Sequence, residues 1–132
     1  MLRRRRIPPE LEDANVAFEE TLARVERAKE ALVSAVPSAR APGRPLADAL
    51  ADYEDGLAQA KGTMPAWRRP QIESEWTACD GALRDAVSAA ERFRLETPED
   101  LPFDALMFAL QDLMVPLDAF EAAAHAWRRL RR

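Results

Sequence analysis

The chain has 132 residues, 32% of them charged, with 23 acids against 19 bases, a net charge of −4 and a pI near 5.1. That length suits one domain with a single core. One cysteine and one histidine exclude an internal disulfide and a structural zinc site. Four scattered glycines supply neither a phosphate loop nor a nucleophile elbow.

Val, Ile and Thr together number only twelve, while Ala, Leu, Arg and Glu dominate, so the composition favours helix over sheet. No apolar run approaches the roughly 18 residues of a membrane span. Met1-Leu2 and the arginines after it imitate the start of a signal peptide, but Pro8, Pro9 and three acids follow where an apolar stretch belongs. The reading is a cytoplasmic protein with Cys79 reduced.

Residues 1–8 read as a basic arm carrying Arg3, Arg4, Arg5 and Arg6, and residues 9–132 as one domain. Prolines divide that domain into four stretches with helical apolar spacing. The first, near 9–36, has Leu11, Phe18, Val25 and Leu32 at seven-residue steps, with Leu22 and Val36 between them. Asn15 and Lys29 interrupt this stripe, and Ala14 and Ala28 are the expected core residues in their place. Glu10, Glu12 and Asp13 complement the positive end of the helix dipole.

The second helix, near 45–62, alternates Leu46, Leu50, Tyr53, Leu57 and Ala60, with Gly62 as the expected C-cap. The third, near 70–95, runs Ile72, Trp76, Cys79, Leu83, Ala86, Ala90 and Phe93. Cys79 lies on that apolar stripe, as a small buried hydrophobe does. Thr97-Pro98-Glu99-Asp100 resembles a helix start.

The fourth helix, near 102–131, runs Phe103, Leu106, Leu110, Leu113, Leu117, Phe120, Ala124 and Trp127. Pro116 removes the bond to the Asp112 carbonyl and predicts a kink, but the stripe keeps its phase, so one helix is expected. Four such helices bury their stripes most economically as an antiparallel up-down-up-down four-helix bundle, all-α. The predicted core is Leu11, Phe18, Leu22, Val25, Leu32, Leu50, Tyr53, Leu57, Ile72, Trp76, Cys79, Leu83, Leu106, Leu110, Leu113, Leu117 and Phe120.

Ala-Trp-Arg-Arg occurs twice, at 66–69 and 126–129. Up-down-up-down order brings Arg3–Arg6, Trp67, Arg68, Arg69, Trp127, Arg128, Arg129, Arg131 and Arg132 to one end. Those three places hold ten of the seventeen arginines and no acid, while the rest of the chain carries −14.

Two uses of this end compete with a third, purely structural one. It could contact nucleic acid or another polyanion, with arginine on phosphate and tryptophan stacking on bases. It could dock on an acidic protein or an anionic surface. Structurally, Glu10, Glu12, Asp13, Glu73 and Glu75 would pair with the arginines and neutralise them. Trp127 is in phase with the core, whereas Trp67, in a proline-flanked connection, is expected to be exposed.

A carboxylate-bridged di-iron site is excluded, because His125 is the lone histidine and its nearest preceding acid, Glu121, is four residues away rather than three. No cofactor and no catalytic residue is expected. The expectation is a small non-enzymatic protein-interaction or structural module, with self-association or a protein partner. Val33, Val87, Phe108 and Val115 flank the stripes as the apolar residues such a partner would cover. The alternative is an accessory polyanion binder that uses the arginine pole.

Overall fold

The computed structural model describes residues 8–40, 42–97 and 100–129, with the Arg129 side chain excepted. The Arg3–Arg6 arm, Arg131 and Arg132 lie outside the described residues, as do the side chain of Arg129 and the expected end of the last helix at 130–131. Among the described residues four α-helices form: α1 (Glu12–Val33), α2 (Leu46–Thr63), α3 (Glu73–Glu96) and α4 (Phe103–Arg129). Short 3-10 turns at Pro9–Leu11, Met64–Trp67 and Pro70–Ile72 lead into or link them. No strand occurs among the described residues.

Prolines set the helix starts. The carbonyls of Pro8, Pro45 and Pro102 accept from Leu11, Ala49 and Leu106 at 2.8, 3.1 and 2.9 Å. Proline serves here because the first N–H groups of a helix have no intrahelical acceptor to lose. The fourth helix thus begins at Phe103, close to the start near 102 that the sequence predicts, and the start-like Thr97-Pro98-Glu99-Asp100 precedes it without opening it. It passes through Pro116 without a break.

The helices pack as an antiparallel bundle, and side-chain pairs give the register. Ala28 of α1 lies against Gly56 of α2, and Arg94 of α3 pairs with Glu54 of α2. Glu19 and Lys29 of α1 meet Arg128 and Glu121 of α4. The first connection folds back on α1, with the Arg44 amide donating to the Ser34 carbonyl at 2.8 Å. A Cβ at Gly43 would lie 2.2 Å from the Ala35 oxygen, so only glycine fits that return.

Sixteen of the seventeen predicted core residues are buried. Ala14 and Ala28 take the core places beside Asn15 and Lys29, as expected. Leu106 is the exception, only partly buried, and no residue from Phe103 to Ala109 is buried. The cause is length. The Lys29–Glu121 pair sets the end of α1, Val33, level with about Leu117, so α4 continues ~20 Å beyond it at ~1.5 Å per residue. Phe93, near the end of α3, lines the same groove as Ala109 and Leu113, so α3 runs out there as well.

Gly62 is not the expected C-cap. It lies inside α2, with no positive φ, and the chain tightens into the 3-10 turn at Met64. Just before that turn Thr63 donates its hydroxyl to the Ala60 carbonyl at 2.7 Å.

Candidate interaction surfaces

The two Ala-Trp-Arg-Arg segments do meet at one end of the bundle, but their tryptophans turn inward. Trp67 and Trp127 are both 0% exposed, with ring centroids 6.2 Å apart. Phe18 packs edge-on against each, at 5.3 and 5.5 Å, and Trp76 closes the cluster 6.5 Å from Trp67. The expected exposure of Trp67 is therefore corrected. The Met64–Trp67 turn delivers the indole into the core, where its ring removes a large apolar area from water.

Polar contacts lock this arrangement. The Trp67 Nε1–H donates to Thr21 Oγ1 at 3.0 Å, and Thr21 also shares a hydrogen bond with Thr63. Thr21 is the one buried polar residue of the described core. The Trp76 Nε1–H donates to the Met64 carbonyl at 2.7 Å. Two buried polar groups, the Tyr53 hydroxyl and the Trp127 Nε1–H, have no hydrogen-bond partner among the described residues.

The arginines beside these tryptophans stay at the surface and are largely matched. Arg68 holds Glu73 through two bonds of 3.2 and 2.6 Å, and its guanidinium lies 4.2 Å from the Trp76 ring centroid. Their hydrogen bond raises the Arg68 pKa and lowers that of Glu73. Arg128 meets Glu19 at 3.5 Å, a partner the sequence reading did not include. Arg69 donates to the carbonyls of Ala66 and Arg68, so no carboxylate takes it among the described residues. The tryptophans of this end are thus unable to stack on bases in the folded chain, and two of its three described guanidinium groups already hold carboxylates.

The opposite end offers a different surface. Phe108 and Val115 are 72% and 65% exposed and lie seven residues apart, on one face of α4. Phe103 is 55% exposed. Asp104, Met107, Phe108 and Gln111 form a shallow recess, and Val115 borders the α3–α4 groove beside Arg92, Phe93 and Asp112. From Phe103 to Trp127 this helix bears Asp104, Asp112, Asp118 and Glu121 but no Lys or Arg.

Val33, Val87, Phe108 and Val115 do not share one groove. Val87 is half-buried between α2 and α3, beside Glu54, Leu57 and Lys61, and only Phe108 and Val115 share a helix face. The sequence reading missed Phe103 as a surface residue, because it assumed that the stripe of α4 is covered along its whole length.

The other candidates for chemistry are Cys79 and His125. Cys79 is fully buried, and burial, with the nearby Glu75 carboxylate, pushes its thiol pKa up to about 12, so no thiolate forms at neutral pH. His125 is exposed. Among the described residues no three His, Cys, Asp or Glu side chains converge as metal ligands, and no helix is long and apolar enough to cross a membrane. Scanning the chain against protein-family models finds no match, and neither the curated proteins nor the solved structures contain a similar one.

Proposed function

We propose that this chain is a non-enzymatic protein-interaction module, and that its docking surface is the outer face of α4 from Phe103 to Val115. The observation that carries the reading is the pair Phe108 and Val115, large exposed apolar side chains in register on a helix whose first turns hold no fully buried residue. Isolated surface hydrophobics are ordinary, but a repeat on one helix face is what a helix-in-groove or helix-on-helix partner reads. The acids that flank the pair select for a partner with basic residues beside its apolar ones.

The test uses a labelled basic amphipathic helical peptide, with leucine on one face and arginine on the other, titrated against the protein at physiological salt. Binding that weakens at least about tenfold in Phe108→Ser/Val115→Ser, with the helical circular-dichroism signal unchanged, supports the reading. Equal affinity for the two proteins overturns it.

A rival reading, polyanion binding at the arginine pole, draws on Arg69, whose charge no described carboxylate matches. Arg68 and Arg128, held by Glu73 and Glu19, count against it, as does the burial of both tryptophans. Titrating single-stranded oligonucleotide at several salt concentrations separates the two, because phosphate contacts give a log–log salt slope that scales with their number.

A further inference from the structure

We infer that the partner of the α4 face is a second copy of this chain, which docks its Arg3–Arg6 segment head-to-tail onto Phe108, Val115 and the acids around them. This rests on the α4 reading above and adds the identity of the occupant.

Charge complementarity carries the argument. Between Phe103 and Val115 helix α4 carries two carboxylates, Asp104 and Asp112, and no Lys or Arg, and both lie on the same side of α4 as Phe108 and Val115, with Arg92 of α3 beside Val115 as the one cation lining that groove. The segment Leu2-Arg-Arg-Arg-Arg-Ile7 is its complement, four guanidinium groups between two apolar side chains. Planar guanidinium groups pair bidentately with carboxylates, and the flanking Leu2 and Ile7 supply apolar surface for Phe108 and Val115.

The same charges reject a symmetric dimer. Pairing α4 against α4 sets Asp104, Asp112 and Asp118 of one copy against those of the other, and like charges across an interface select against it.

Reach decides that the contact is between molecules. Pro8, the first described residue, stands at the tryptophan end, and Phe108 stands at the other. With Lys29 level with Glu121, roughly 50 Å separate Pro8 from Phe108 along the bundle, and about 40 Å separate it from Val115, at ~1.5 Å per helical residue. Even fully extended, the chain from Pro8 back to Arg3 spans only ~17 Å at about 3.4 Å per residue. Arg3–Arg6 therefore falls short of the patch on its own molecule by more than 20 Å on that same rough scale. In a second copy no such limit applies. An arm at one end and its receptor at the other make the contact heterologous, so copies join into open chains or a closed ring.

The test is sedimentation equilibrium at low and at physiological salt with two variants. One is the arm variant, Arg3→Ser, Arg4→Ser, Arg5→Ser and Arg6→Ser together; the other is the face variant, Phe108→Ser with Val115→Ser. Wild type should gain mass with concentration at low salt and lose that gain as salt screens the pairs. Each variant alone should stay monomeric. Their mixture should form a one-to-one complex and nothing larger, because one supplies the arm and the other the face.

Wild type that stays monomeric at low salt overturns the inference, as does association that survives in either variant alone, or a mixture that stays monomeric. A labelled basic amphipathic peptide in the same cells tells the two failures apart. If wild type is monomeric yet binds that peptide through Phe108 and Val115, the α4 surface stands and only its occupant is wrong. If the peptide does not bind either, both fall.

Discussion

Alanine substituted at two glycines of the same helix should move stability in opposite directions. In α2, a Cβ added at Gly62 meets nothing within 4 Å, whereas one at Gly56 would lie 2.9 Å from the Ala28 Cβ and 3.2 Å from its Cα. Gly62→Ala therefore collects the helix-propensity gain alone, about 0.5–1 kcal/mol. Gly56→Ala collects the same gain, but it must push α1 and α2 apart where Gly56 lies against Ala28. Ala28 has no flexible end that could swing away, and overfilling a packed core costs typically 1–3 kcal/mol. The net is a loss of about 1 kcal/mol at Gly56 against a gain of about 1 kcal/mol at Gly62. For a chain of this length that separates the two melting temperatures by roughly 6–10 °C. Thermal unfolding followed at the helical circular-dichroism band reads it directly. A double variant, Gly56→Ala with Ala28→Gly, restores the close approach and should recover at least about 1 kcal/mol relative to additivity. If Gly56→Ala stabilises as much as Gly62→Ala, or if the double variant is additive, α1 and α2 do not cross where Ala28 and Gly56 place them.

Thr21→Val should cost about 1–3 kcal/mol in urea unfolding, because it leaves the buried Trp67 Nε1–H without its acceptor; a neutral effect would mean that the indole finds another. Tyr53→Phe should raise stability by about 1 kcal/mol, since it deletes a buried hydroxyl that has no partner among the described residues, and a loss would reveal a hidden bond. Leu110→Ala should cost ~2–5 kcal/mol, and an unchanged melting point would mean that the stripe of α4 faces away from the core. Because burial raises the Cys79 pKa to about 12 from 9.0, the folded state holds this proton longer than the unfolded state does. The contribution is complete below about pH 9 and is lost as pH climbs toward 12, so the urea midpoint should fall across that range, less steeply in Cys79→Ala. Equal slopes for the two proteins would refute that assignment.

The helices were legible because each lies between prolines and carries its own three-four stripe. Even the polar interruptions at Asn15 and Lys29 resolved as expected, with Ala14 and Ala28 turned inward. What the stripe does not encode is relative length. Leu106 keeps the phase of α4 perfectly and is still only partly buried, because α1 and α3 have ended by that level. Nor does periodicity reach a single 3-10 turn. Trp67 sits between Pro65 and Pro70 with no repeat to declare its direction, so a proline-flanked tryptophan reads as exposed until Thr21 and Phe18 are seen to receive it. Pairing across helices is equally silent in one dimension: Glu19 reaches Arg128 only through the register of α1 against α4. Of the five acids expected near the arginine end, Glu73, five residues after Arg68, does pair with it.

The doubled Ala-Trp-Arg-Arg looks like a recognition motif, and the structure supplies a mechanical reason for it. An up-down-up-down bundle has to close its core where a connection and a free helix end meet, and a large flat side chain from each fills that space. Trp67 comes from the connection and Trp127 from the helix end, and Phe18 wedges against both. A polar residue directly after each tryptophan keeps the chain at the surface once the indole has turned in, and Arg68 covers the cluster as it does so, with its guanidinium over the Trp76 ring. Repetition at this end is therefore accounted for by closure of the core. The end that lacks such a plug is the one that leaves Phe103 and Phe108 in water. No packing requirement within one molecule explains an apolar repeat there, so the physical case for a partner is stronger at the quiet start of α4 than at the arginine-marked pole.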